Sequence, residues 1–595
     1  MNPSLDDLLL DYYQRELTYL RHASQSFAER YPKVAQRLSL GAGECADPHV
    51  ERLLESFALL TARLHRKLDD EYSDLTDSLL EQFYPYASRP IPSMTIVQAE
   101  ADPSQGSLAS GYVVPRGSPL QHVTGDGTAI QWRTAANATL WPVDVDNAQM
   151  LSAEEAQALT SDGTLQSALR LSLRCTGKHT FAALPIRTLR IHLGGTSVTA
   201  AQLYDLLCAH TTSVYAQAPA AALRPIPGKP QPVGFAWDDA LLPLEDGVHP
   251  AYRLLVEYFA FPEKFLFFDL PVPQASDAVD RLDLVIGFSA APASRVTVSA
   301  RDVLLGCTPA INLFPRTSEP LRPDATRHEL RISPDIHRES STEIYSVLKV
   351  RAVLGREVTE VAPYLGIQHG AGSGLYWHAR RVSAMHASRP GSDVMLTFVD
   401  PCFDPALPEA RTLTAELLCT NRNKAQNLSP GMALAFDQPS PIARVRIVRR
   451  PTQQAMAALD GSSRWRFASQ LVLNHASLVD GPEALQALRE MLQLHNLTTQ
   501  ATAARQIGGI VRVSSEPTVE HVGEDMWRGW RNGLKVTVEL DRTNFVGAST
   551  VMFSGVLAHF FALYANVNRF VRTSLVLDGK EIRSWRPIQG TPVVL

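Results

Sequence analysis

Cysteine is scarce and scattered. The chain carries six among 595 residues: Cys45, Cys175, Cys208, Cys307, Cys402 and Cys419. None forms a C-x-x-C pair, and none has clustered histidines beside it. That spacing argues against a disulfide framework and a structural zinc site, and it fits a reducing cytosol. An excess of one charge sign is missing too. A formal net charge of -5 and a pI near 6.4 over this length leave no global field to steer the chain onto nucleic acid. The one basic cluster, Arg444, Arg446, Arg449 and Arg450, reads as a solvated strand face. The opening residues Met1 to Asp7 have no basic region ahead of an apolar core, so no export signal is expected. Thr543 to Asn568 is free of formal charge, but Asn544, His559, Asn566 and Asn568, with Gly547 and Gly555, interrupt it. A spanning helix wants about 20 predominantly apolar residues. The segment therefore reads as a buried core helix within 550–570, and no membrane insertion is expected.

Catalytic signatures are also lacking. There is no G-x-S-x-G elbow and no H-E-x-x-H zinc motif. Gly370-Ala371-Gly372-Ser373-Gly374 lacks the Lys-Ser/Thr of a phosphate loop and the spacing of a dinucleotide fingerprint, and reads as a surface loop. Asp69-Asp70-Glu71 reads as an acidic turn between helices rather than a carboxylate pair. His378, within Tyr376-Trp377-His378-Ala379-Arg380-Arg381, can belong to a site or to a packed corner of stacked guanidinium groups. With no nucleophile, base and orienter legible together, the chain is read as a non-enzyme with no catalytic, cofactor or metal residues.

The first ninety or so residues carry helical periodicity. Ser4 and Asp7 fit a capping-box-like start. Leu10, Tyr13, Leu17, Leu20 and Phe27 follow at three-and-four spacing, and Leu5, Leu9, Tyr12 and Tyr19 form a neighbouring stripe. A helix apolar over that much of its circumference is contacted on more than one side. It should end near Tyr31-Pro32, because the residue before proline avoids the helical region. Asp47-Pro48 starts a second helix, with Asp47 as cap and Pro48 at the first helical position. Val50, Leu53, Phe57, Leu60 and Leu64 then run in a heptad-like rhythm, with Leu54 beside them. A third helix is expected from Ser73, carrying Leu75, Leu79, Leu80 and Phe83, until Pro85, Pro90 and Pro92 stop it.

After Pro92 the texture becomes mostly β. Short runs such as Met94 to Val97, Tyr112 to Val114, Leu189 to Leu193 and Leu282 to Ile286 alternate with proline and glycine turns. Helices interrupt at Ala200 to Cys208 and Glu483 to Leu494, and Ala216 to Pro232 reads as an exposed loop. Asp578-Gly579 predicts a type I′ hairpin. The expected fold class is α+β: an N-terminal helical bundle segment, several mostly-β domains, and a C-terminal helix and hairpin. The intervals are 1–92, 93–325, 326–500 and 501–595.

Several motifs run through the chain in order. They are Tyr12-Tyr13-Gln14-Arg15-Glu16-Leu17-Thr18-Tyr19-Leu20-Arg21, Phe27-Ala28-Glu29-Arg30-Tyr31-Pro32, Asp47-Pro48-His49-Val50-Glu51-Arg52-Leu53, Tyr84-Pro85 and Arg89-Pro90-Ile91-Pro92-Ser93-Met94. Phe261-Pro262-Glu263-Lys264-Phe265, Thr308 to Phe314, Glu343 to Val347, Leu418 to Arg422 and Phe560 to Tyr564 continue the series. Together they resemble the TssF family, also called VasA or ImpG, baseplate subunits of the bacterial type VI secretion system. Ser73, where the family often has proline, and Asn423-Lys424-Ala425, where a run like Asp-Leu-Pro is usual, depart from the pattern in expected turns.

The resemblance implies a structural role. Such chains pair as two copies with one TssG-like subunit, join TssK and TssE in a wedge, and surround a VgrG-type spike hub to support the contractile sheath. It implies a cytoplasmic protein in a baseplate docked at the inner membrane, with no cofactor. A single hairpin of helices cannot cover all the apolar faces at the N-terminus, so either the β-rich body or other chains cover the rest. The resemblance favours other chains and makes Leu10, Tyr13, Leu17, Leu20, Leu53, Phe57, Leu60 and Leu64 the partner-interface candidates. Other readings are a different contractile-tail scaffold, an exported β-rich adhesive or carbohydrate-active protein, and a nucleic-acid binder; the missing signal and the near-neutral charge argue against the last two.

Overall fold

The computed structural model describes residues 5–590 apart from 38–46, 103, 105–107, 161, 220, 245–247, 275–278, 293–295, 323–328, 355–356, 365–374, 385–390, 400–411, 458–465, 468–483, 522–529, 564 and 566–568. Ser4, Gly370 to Gly374, Cys45 and Cys402 therefore lie outside the described residues. The chain divides into two compact units, 1–80 with 459–468, and 81–458 with 469–595. The fold class is mixed α+β, as the change of texture after Pro92 implies.

In the first unit, a helix runs over Leu5–Arg30 and stops before Pro32, where a short helix, Pro32–Arg37, begins. The next helix is long, Pro48–Phe83. Asp47 caps it as expected: its Oδ1 accepts the His49 N–H at 2.9 Å, and its carbonyl accepts the Glu51 N–H at 3.0 Å. Two expectations fail here. No turn interrupts the helix at Asp69-Asp70-Glu71, and no third helix starts at Ser73; both lie inside one helix. Neither glycine nor proline occurs between His49 and Phe83, so no helix breaker interrupts it.

The second unit is built from sheets. A six-stranded antiparallel sheet has the order Ala433–Leu434, Ile442–Ile447, Met94–Ala101, Cys307–Ile311, Ala129–Thr134, Pro119–Val123. It thus draws strands from both sides of residue 325. A seven-stranded sheet contains Glu343–Leu354, Tyr376–Ser383, Ser392–Val399 and Thr412–Thr420. Five- and four-stranded antiparallel sheets occupy 143–304. Three short strands, Thr211–Gln217, Arg224–Ile226 and Gln231–Val233, replace the loop expected over Ala216 to Pro232. Prolines at 225 and 232 hid them; both strands that hold them are sheet edges, where a missing N–H is tolerated.

The C-terminal sheet contains one parallel pair, Trp530–Leu540 with Phe570–Leu577. A parallel pair needs a crossover, and the helix Thr550–Ala562 supplies it. Every residue of that helix but His559 is buried. It fulfils the expected core helix but ends at Ala562, and Phe570 already begins a strand. The Asp578-Gly579 turn has φ of 51° and 73°, the positive pair that a type I′ hairpin requires. One apolar core runs through the five- and four-stranded sheets, the helix Pro250–Ala260 and the C-terminal elements, so residues of 143–303 and 484–577 fold together.

A candidate partner interface on the N-terminal helices

The first helix and the long helix are tied by polar side chains. Arg21 Nη2 meets Glu51 Oε1 at 2.6 Å, and His65 Nδ1 meets Glu16 Oε1 at 2.7 Å. Ala58 and Ala62, one turn apart, are buried. Leu9, Leu10 and Tyr13 of the first helix and Glu55, Ser56 and Leu59 of the long one line an open cleft of about 330 Å³. Leu10 and Tyr13 are therefore brought together with the long helix, although Leu10 stays half exposed. Leu17 and Leu20 are partly buried. Leu53, Phe57, Leu60 and Leu64 do not line the cleft, and are 72, 54, 58 and 62% exposed. Their spacing of four, three and four is that of a coiled-coil seam. Tyr31, Val34 and Leu59 are exposed apolar side chains that the stripe reading did not single out; Tyr31, standing before Pro32 at a helix end, was the one with a local signal.

The residues that carried chemical suspicion are structurally occupied. Arg380 pairs with Glu329 at 3.0 Å. Arg381 donates to the carbonyls of Ile344 and Tyr345 at 2.8 and 2.7 Å and to Ser392 Oγ at 2.7 Å. Trp377 Nε1 donates to the Val361 carbonyl at 3.1 Å. These contacts tie the strand Tyr376–Ser383 to its neighbours in the seven-stranded sheet. On the Arg444 strand, Arg444 and Arg446 both reach Glu100, at 2.6 and 3.0 Å, while Arg449 donates to the Gly195 carbonyl at 2.8 Å. Among the described residues, no group of three His, Cys, Asp or Glu stands close enough to hold a metal.

Motif residues far apart in sequence meet in the second unit. Asn312 Nδ2 donates to Asn421 Oδ1 at 2.9 Å, and the Asn421 N–H donates to Asn312 Oδ1 at 2.7 Å. The pair also holds the strand Ala129–Thr134, through the Gln131 carbonyl and N–H at 2.6 and 2.8 Å. Both asparagines are buried, so each satisfies polar groups of the other that would otherwise lack a partner. Glu343, also buried, accepts from the Ser392 N–H at 2.8 Å and lies 3.7 Å from Arg422. Phe261, Phe265, Phe267 and Phe268 are core.

Interlocked sheets with an open helical face describe a scaffold. Comparison with known proteins agrees. The family model described as "Type VI secretion system, TssF" matches residues 5–592, and the chain belongs to that family. It is 33% identical to the type VI secretion system component TssF1 of Pseudomonas aeruginosa, over 99% of each chain. Its fold matches a chain in the cryo-electron microscopy structure of the type VI TssK-TssF-TssG baseplate subcomplex with a TM-score of 0.73, at 25% identity, covering 91% of this chain and 99% of that one. It matches a chain of the type VI baseplate complex with a TM-score of 0.59, at 22% identity, covering 98% and 99%; that likeness concerns fold alone.

Proposed function

We propose that the chain is a structural subunit of a type VI secretion baseplate and catalyses no reaction. The observation that carries this is the full-length family match, joined to a fold shared with a chain of a TssK-TssF-TssG subcomplex. In this reading the chain assembles with TssG-like and TssK-like subunits. A second copy of itself, a TssE-like subunit and a VgrG-type hub complete the wedge by resemblance. The partner seam is the exposed row Leu53, Phe57, Leu60 and Leu64, with Leu10, Tyr13, Leu17 and Leu20 beside it. Support comes from the rarity of so long an apolar row left open on a helix. Assembly takes place at the cytoplasmic face of the inner membrane; among the described residues, no helix is long and apolar enough to cross one. Co-expression with a TssG-like subunit, followed by size exclusion, tests the reading. A stable complex is expected, and separate elution of two folded chains would refute it.

A further inference from the structure

Trp237 opens a single 3-10 turn, Trp237–Asp239, and three charged side chains hold this turn and the residues flanking it. Arg253 is buried in the helix Pro250–Ala260, and donates to the carbonyls of Trp237 and Ala236 at 3.2 and 3.4 Å. Arg116 donates to the carbonyls of Asp238 and Ala240 at 3.2 and 2.9 Å. Glu257, fully buried, accepts the N–H groups of Leu241 and Leu242, both at 2.9 Å, and pairs with the buried Lys264. Burying such charges is costly, and a plain surface turn needs none of them. Yet the side chain that this frame presents is an indole left 59% exposed. Tryptophan and arginine are the residue types most enriched where binding energy concentrates, and a rigid mount reduces the ordering cost of binding.

A second observation concerns charge. Arg133, on the strand Ala129–Thr134, is partly buried, and its guanidinium forms no hydrogen bond or ion pair among the described residues. Its charged form is disfavoured, first by loss of solvent and further by the neighbouring Arg116, with Tyr345 nearby acting the other way. Pro119 lies opposite Arg133 in the sheet and the Gly117 N–H donates to the Thr134 carbonyl at 2.8 Å, which brings Arg116 beside this strand; neither guanidinium has an ion pair among the described residues. Asp238 is exposed next to Trp237, but its neighbour Asp239 is spent on the Gly234 N–H at 2.9 Å.

We propose that Trp237 is a docking anchor for a partner protein, and that the partner offers an apolar socket bordered by an Asp or Glu side chain that pairs with Arg133 and Arg116. This rests on the assembly reading above, and adds a second contact remote in sequence from the helical seam. The test places the photo-crosslinking residue p-benzoylphenylalanine at position 237 in cells producing the whole secretion system, and at position 57 in a parallel strain. The expected result is a crosslink from 237 to one partner subunit, within a peptide containing Asp or Glu. Arg133→Gln should lower its yield about tenfold and Arg133→Lys should restore part of it, as removal of one member of a partly buried charge pair implies. Both variants should keep the wild-type melting temperature. A crosslink from 57 with none from 237 would overturn the anchor alone. So would a 237 crosslink to a peptide without an acidic residue, or one indifferent to Arg133→Gln. Silence at both positions would overturn the assembly reading and the anchor with it.

Discussion

Two helices of this chain are more apolar than a surface helix needs to be, and they meet opposite fates. Thr550–Ala562 is buried almost throughout, against the helix Pro250–Ala260 and the strand Phe570–Leu577. Phe553 meets the Tyr258 ring at 5.6 Å, and the single exception to burial, His559, stacks on Phe235 at 5.4 Å. Pro48–Phe83 keeps a row of equally large side chains in solvent and is tied to its neighbour by ion pairs. Residue type alone therefore does not decide burial. A helix that closes a parallel strand pair is covered by its own chain. The long helix buries Ala58, Ala62 and Leu80 and leaves its a/d-spaced row Leu53, Phe57, Leu60 and Leu64 open, the row proposed above as a partner seam. Apolar burial stabilises the first within the monomer; under the proposed function the second gains it only on assembly.

This contrast can be broken in graded ways. Acid should act most strongly, and on the second unit. Burial holds His192 and His495 down to about 3 and His559 to about 4, with Arg449 adding to the first and Arg253 to the third. An unfolded histidine titrates near 6.5, so the unfolded chain binds more protons as pH falls. The stability that these three groups contribute is complete above about pH 6.5 and is lost as pH falls toward about 3. Denaturant titrations at pH 8, 6 and 4 should show a steep decline; an unchanged midpoint at pH 4 would contradict the burial of these rings. The described histidines of the N-terminal helices, His22, His49 and His65, are exposed. Far-ultraviolet circular dichroism at pH 4 should therefore retain helix after tertiary signals of the sheets are gone.

Phe553→Ala should come next, costing about 3–5 kcal/mol in chemical denaturation because it opens a cavity in a fully buried helix. A loss below about 1 kcal/mol would mean the helix is not packed as described. Asn421→Ala should cost about 1–3 kcal/mol, since it leaves Asn312 and the Gln131 N–H without their buried partner. Melting temperatures of this variant and of Asn312→Ala should not add, because the two residues share one interaction. Leu60→Ser in the isolated chain should do least, within about 0.5 kcal/mol, as an exposed side chain has little native contact to lose. A large loss there would show that Leu60 is covered within the monomer.

Legibility followed the range of the interaction. Asp47 as a cap, the stop before Pro32 and the Asp578-Gly579 turn are local devices, and each was readable from a few neighbouring residues. The unbroken helix through Asp69 to Ser73 was misread because a charged run resembles a turn when no packing partner is in view. Pro225 and Pro232 masked edge strands for a similar reason: proline argues against a strand only where its N–H is needed. The Asn312–Asn421 pair joins residues 109 apart in sequence, and no local pattern announces such a contact. The apolar rows of the N-terminal helices were legible as rows. Whether they were covered was not, because exposure depends on the tertiary arrangement.

The central claim is that the open seam on Pro48–Phe83 belongs to a partner. Its most direct test is the double variant Phe57→Ala with Leu60→Ala, co-expressed with a TssG-like subunit and resolved by size exclusion. Truncating a buried Leu or Phe costs about 2–5 kcal/mol at a packed seam and almost nothing on an open surface. The account predicts a chain that keeps its wild-type melting temperature and β-sheet spectrum but no longer elutes with the TssG-like subunit. Co-elution at wild-type stoichiometry, or unfolding of the double variant alone, would contradict it.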